Sequence, residues 1–453
     1  MDRTGFVVFT VRTGEAPGNV PAHLDLLSGA ARATSKLDGG PIDRALRPQG
    51  DGFRATTVFH ARRSLDVPGE QHVGYDDLEE RLGMSRTYRA RLADPAATQA
   101  AVDRLRSLAV VESASVQALA TTPFRTDILP RPAPPGRDGP DAHDLVHADE
   151  ALALEPGDER VTVACVDTGV TLGHAELQRK LLAGYDTVDL GLGEVGGKLR
   201  LLGDSRGHDF SPLDDVGHGT QVAGIIGAQG WRMRRGVAGR SLILPIRVLA
   251  AAVAREGRAP VGVGAIPDID AGMKVAVDLG ARVVNMSFGT PADSVPEGAP
   301  TPHRAVVEYA SRHGCVLVAA AGNSGRQERF YPAALPEVIA VGSVSADGTR
   351  SAFSTWGDHV AVTAPGERVH SAQRRGYRAA SGTSFAAPFV AAAAALLLAR
   401  AKRNGRDLAP QRVRELLTAS AKPLGPAPNS ETGHGLLDVA AAIRRLDQEG
   451  PGT

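Results

Sequence analysis

The sequence predicts an α/β fold, a parallel sheet with helices on both faces, preceded by a smaller N-terminal α+β domain. Three observations carry this. From about residue 145, short continuous apolar runs alternate with longer segments of helical periodicity, as expected of strands buried on both faces and linked by crossover helices. A Pro-rich stretch, residues 123–144, separates this pattern from a different one before it. The hydrophobic fraction is 42% but aromatic residues make up only 4%, so the core must come from Ala, Val, Leu and Ile.

Residues 1–122 form the first region. Its clearest part is a strand at Thr87–Leu92, then a segment Pro95–Leu108 in which Ala97, Ala101, Leu105 and Leu108 recur at helical spacing. Val110, Val111 and Val116 mark a second strand, while residues 1–85 give no clear assignment. The linker holds Pro130, Pro132, Pro134, Pro135 and Pro140, a composition that favours extended conformations over packing. Residues 145–445 read as the main domain and 446–453 as a tail. Strands are expected at Val161–Val166, Leu242–Val248, Val283–Ser287, Val316–Ala320, Val338–Val344 and Val360–Thr363. Helices are expected at His218–Gly227, Ile269–Leu279, Val306–Arg312 and Ser384–Ala399.

The 51 basic residues balance 51 acidic ones, which argues against a nucleic-acid partner. Cys165 and Cys315 sit in apolar strand-like runs and read as buried free thiols rather than a disulfide framework. The apolar run after Met1 is too short for a signal sequence, and the longest apolar stretch, Phe389–Ala399, is too short to cross a membrane. The expectation is a cytoplasmic protein without a membrane partner.

Three segments carry chemistry: V-A-C-V-D-T-G around Asp167, G-H-G-T around His218, and S-G-T-S-F-A-A-P around Ser384. A serine hydroxyl is a weak nucleophile until a histidine takes its proton and a carboxylate holds that histidine in the right tautomer. Asp167 ends a strand, where open α/β sheets build their sites. His218 opens a helix between two glycines, and Ser384 opens another, where free backbone N–H groups suit a developing oxyanion.

This order and these flanks resemble the subtilisin-like serine proteases, a resemblance running through much of residues 145–442. It implies a serine endopeptidase working through an acyl-enzyme. Asn323, after Ala320-Ala321-Gly322, would be the second oxyanion donor. Gly262-Val263-Gly264 and Ser287-Phe288-Gly289 would be the two strands between which a peptide substrate pairs. Ala320, Ala321, Gly322 and Phe330 complete the expected substrate-binding set. A bulky Phe330 would favour small-to-medium apolar side chains before the cut, whereas Glu328 would favour Lys or Arg. Tyr331-Pro332-Ala333 resembles a turn that often carries a cis proline. The N-terminal strand-helix-strand resembles half of the family's propeptide domain, an intramolecular inhibitor, and self-cleavage would fall in the linker.

No organic or redox cofactor is implied. The loop Gln229–Gly236, which holds calcium in many relatives, carries Arg232, Arg234 and Arg235, so that site is expected to be missing; calcium elsewhere stays open, and no metal ligand is assigned. Gln221 and Phe389 replace histidines common in the family. The segment 187–211 is read as a flexible loop despite a formal dinucleotide-type G-x-G-x-x-G at 191–196. Two rivals remain: a dedicated processing peptidase or peptide transferase for one partner, and a non-catalytic interaction module on a protease fold.

Overall fold

The computed structural model describes residues 5–449 apart from 19, 23–24, 27–30, 49, 51, 63–73, 123–140, 192–193, 196–198, 207 and 255–258. In the N-terminal domain, Phe53–Thr57, Thr87–Leu92, Phe6–Val11 and Val111–Val116 form an antiparallel sheet in that order. Helix Thr98–Arg106 turns Ala101, Val102 and Leu105 onto it, where they join Val7, Phe9, Tyr88 and Ala90 in a separate core. With the short helix Pro41–Ala45, and with the extra short helix Asp77–Arg81 between the two middle strands set aside, the order is strand, helix, two strands, helix, strand, the ferredoxin-like arrangement. The sequence showed its second half and left the first unassigned.

The main domain is built on a seven-stranded sheet, in the order Val360–Pro365, Val338–Val344, Val316–Ala320, Val283–Met286, Thr162–Asp167, Leu242–Arg247 and Tyr185–Asp186. All its pairings are parallel. Alternate residues of one strand serve opposite faces. Val163 and Cys165 join the core containing helix Thr383–Arg403, whereas Ala164 and Val166 join the core containing Met273, Val277 and Tyr309. Both cysteines are buried and unpaired.

Helix Thr383–Arg403 extends beyond the apolar run Phe389–Ala399 at both ends. It is long and apolar enough to cross a membrane by length and composition, but 94% of its apolar window is buried inside the protein. Helix Ala142–Leu145 begins within the stretch read as linker, capped by Asp141; residues 123–140 lie outside the described residues. The segment read as a flexible loop contains strands Glu194–Val195 and Leu199–Leu202. Leu199–Leu202 pairs with Ala250–Ala254, so backbone pairing, which Gly content does not reveal, orders this part.

The N-terminal domain docks on helix Ile266–Asp278 through buried charges. Arg89 meets Asp268 at 2.6 Å, Glu79 meets Lys274 at 2.6 Å and His60 meets Asp278 at 2.8 Å.

Candidate active site

Asp167 closes its strand and is fully buried. Its Oδ1 accepts from His218 Nδ1 at 2.7 Å and from the Thr168 N–H at 2.7 Å. His218 starts helix His218–Gly227. The flanking glycine has a steric reason: a Cβ on Gly219 would stand 2.2 Å from the Gly169 carbonyl oxygen, so only glycine lets the helix start approach the turn after Asp167.

A second carboxylate holds this helix start. Asp214, itself buried, accepts from the backbone N–H groups of Val216, Gly217 and Thr220 and from the hydroxyls of Thr168 and Thr220. The sequence reading missed it. The available signal was an aspartate shortly before a helix start, the ordinary mark of a capping carboxylate. Burial pushes the His218 pKa down, but the charge and hydrogen bond of Asp167, with Asp214 behind, outweigh it and lift it above the ordinary 6.5.

Ser384 sits in the first turn of helix Thr383–Arg403. Its hydroxyl donates to the Ser287 carbonyl oxygen at 3.2 Å, and the Ser287 hydroxyl donates back to the Ser384 carbonyl at 3.0 Å. The His218 ring stands beside Phe385, the next residue along, with centroids 5.4 Å apart. In this structure, therefore, Ser287 rather than His218 engages the nucleophile. Rotation about one side-chain bond, between staggered positions, redirects the hydroxyl.

Asn323 lies alongside. Its Oδ1 accepts from the Thr383 N–H at 2.9 Å and from the Thr383 hydroxyl at 2.8 Å. With the oxygen held, the amide nitrogen is directed toward Gly382, where a Cβ would stand 3.0 Å from it. This puts a side-chain donor next to the helix N-terminus that carries Ser384, as an oxyanion site requires. Thr383 is the anchor, and nothing local in the sequence marks it as one.

The two segments expected to pair with substrate flank a strand of the chain itself. Gly262, Val263 and Gly264 lie in strand Val261–Ala265, and Ser287, Phe288 and Gly289 follow strand Val283–Met286. Between them runs the chain's own strand Leu119–Thr121, antiparallel to Val261–Ala265. Thr121 exchanges two backbone hydrogen bonds with Gly289, at 3.3 and 3.1 Å, and the Thr122 N–H donates to the Gly262 carbonyl at 3.0 Å. Ala320, Ala321 and Gly322 are buried at the end of their strand. Phe330 is also buried, and its ring lies between Gly289 and Gly322. Glu328 is half-buried, Gln221 and Phe389 are buried away from the triad's hydrogen bonds, and the Tyr331–Pro332 peptide is cis.

A serine, a histidine hydrogen-bonded to a buried aspartate, and an asparagine amide at one end of a parallel sheet are the groups a serine hydrolase uses. Residues 158–435 match the model of the subtilase family, to which the chain belongs. It is similar to a thermophilic serine proteinase of Bacillus sp. (strain AK1), 35% identical over 262 residues, 57% of each chain. Subtilisin DY of Bacillus licheniformis is 34% identical over 306 residues, 66% of this chain and 97% of that relative. A protease structure from Pseudoalteromonas arctica superposes with a TM-score of 0.55 at 26% identity, over 66% of this chain and 94% of that one. The chain is a serine endopeptidase, and its substrates are peptides or proteins.

Proposed function

We propose that this endopeptidase is self-restrained: residues 1–122 act as an intramolecular inhibitor, and Ser384 attacks substrate once that region leaves the cleft. The observation that carries this is the strand Leu119–Thr121 paired on both sides in the cleft. The Ser384–Ser287 bond fits a resting arrangement. Catalysis then follows from the residues above. His218 takes the Ser384 proton as the hydroxyl attacks the carbonyl carbon and returns it to the leaving amine, Asp167 holds the imidazole, and Asn323 with the Ser384 N–H receives the oxyanion. Water, deprotonated by the same histidine, cleaves the acyl-enzyme.

For the residue before the cut we propose a small-to-medium apolar preference, supported by the Phe330 ring between Gly289 and Gly322. We also propose that the loop Gln229–Gly236 binds no calcium. The N–H groups of Gly230, Trp231 and Arg232 all point at the Glu176 carboxylate, an arrangement that answers an anion rather than a cation. These bonds hold Glu176 below the usual carboxylate range against the effect of burial. Elsewhere, Asp186, Asp204 and Asp209 bring ligand oxygens within 4.8 Å of one another, and Arg247 already supplies positive charge to Asp186. The two buried unpaired thiols support a reducing, cytoplasmic setting.

The test is expression of wild type beside Ser384→Ala, followed by peptidase activity and N-terminal mass over time. The proposal expects activity that rises as the N-terminal region is cut or displaced, and an inert variant with no self-cleavage. A wild-type chain that is intact and fully active from the outset contradicts it.

A further inference from the structure

The strand lying in the cleft also records what the cleft accepts. It enters as a substrate strand would, with hydrogen bonds to both walls, so its side chains alternate between the enzyme and the outside. Ala120 and Thr122 are each only 1% exposed, whereas Leu119 and Thr121 are half-buried. The inward positions are therefore Ala120 and Thr122, and both carry small side chains.

Each position has a wall on the protease side. The Thr122 methyl and the Thr168 methyl crowd the point where Gly262 would carry a Cβ, at 2.8 and 2.7 Å. The Thr122 hydroxyl accepts from the Gly262 N–H at 3.2 Å. Ala120 belongs to the apolar cluster that includes Ile269 and Phe288, together with Val58, Phe59 and Met84 of the N-terminal domain.

The ladder also fixes the next position. Thr121 and Gly289 form a mutually bonded antiparallel pair, so in a substrate lying along the same ladder the residue two beyond the Thr121 position would come opposite Ser287, the next bonded pair. A substrate residue there gives its N–H to the Ser287 carbonyl oxygen, the same atom that now holds the Ser384 hydroxyl. Productive binding thus competes for that oxygen and releases the nucleophile toward His218.

We infer that the cleft selects extended chains with a small residue at each of two alternating positions, those of Ala120 and Thr122, followed by a residue that is not proline. This rests on the endopeptidase reading. On it, Ala120 and Thr122 of the chain's own segment satisfy the two small positions.

Two measurements on the full chain test this. In the first, the rate at which a fluorophosphonate labels Ser384 is compared between wild type and the variants Ala120→Trp, Thr122→Trp and Thr121→Trp. The inward variants should speed labelling at least tenfold and the outward one less than threefold; equal effects overturn the inference. In the second, chain brought to constant activity is given quenched peptides containing Leu-Ala-Thr-Thr-Ala, the same with Pro in place of the final Ala, and versions with Phe at either inward position. Cleavage after the final Ala, with at least a tenfold loss for each Phe and for Pro, supports the inference. A flat profile, or cleavage after Pro, overturns it. Labelling of Ser384 without cleavage of the matched peptide also overturns it while leaving the endopeptidase reading intact. No labelling of any variant sinks the endopeptidase reading itself.

Discussion

The reactivity of Ser384 depends on groups that do no bond-making themselves. Thr383 holds the Asn323 oxygen with two hydrogen bonds, which directs the amide nitrogen. Asn323→Ala should lower kcat by about 10²–10³ with little change in KM, the size found for this donor in subtilisin. Thr383→Val keeps the shape and one of the two bonds, and should lose about tenfold in kcat, since a positioning residue acts only through the donor. His218 sets the pH dependence. Its neutral form is the base, and the pair Asp167–His218 lifts its pKa above 6.5, so activity should rise with pH through a midpoint above that value. A kcat/KM profile measures this for the free enzyme; a midpoint at or below 6.5 contradicts the assignment.

At the scale of elements, the strands and helices of the main domain were legible because burial on both sheet faces leaves unbroken apolar runs such as Val316–Ala320. The triad was legible because each member sits among small residues that close approach demands. Gly219→Ala tests that reason: its Cβ would meet backbone at 2.2 Å, a collision that cannot be relieved by a side-chain rotation. It should cost about 1–3 kcal/mol in denaturant unfolding and most of the activity, through displacement of His218. What the sequence concealed are contacts between distant segments. Thr121 with Gly289, Glu176 with the loop Gly230–Arg232, and Asp214 with Thr168 are ordinary polar residues until the fold brings them together. The ordering of residues 199–202 by pairing with Ala250–Ala254 is of the same kind.

For the whole molecule, two units meet across buried ion pairs and across the apolar cluster that joins Val58, Phe59 and Met84 to Ile269 and Phe288, and the strand Leu119–Thr121 lies in the cleft. The Arg89–Asp268 pair is nearly excluded from water on both sides, with side chains 5% and 1% exposed. Arg89→Ala leaves Asp268 buried without its partner, which costs about 3–5 kcal/mol when one member of such a pair is removed. The N-terminal domain should then dock less tightly, seen as faster trypsin cleavage within residues 1–122 and earlier appearance of peptidase activity. Unchanged cleavage and activation would show that docking does not depend on this pair. The most direct test of the central claim, that Asp167 and His218 make Ser384 nucleophilic, is fluorophosphonate labelling located by peptide mass spectrometry in wild type and His218→Ala. Adduct on Ser384 in wild type, with a loss of several orders of magnitude in the variant, is the predicted result. Adduct that forms equally well without His218, or on another residue, would contradict it.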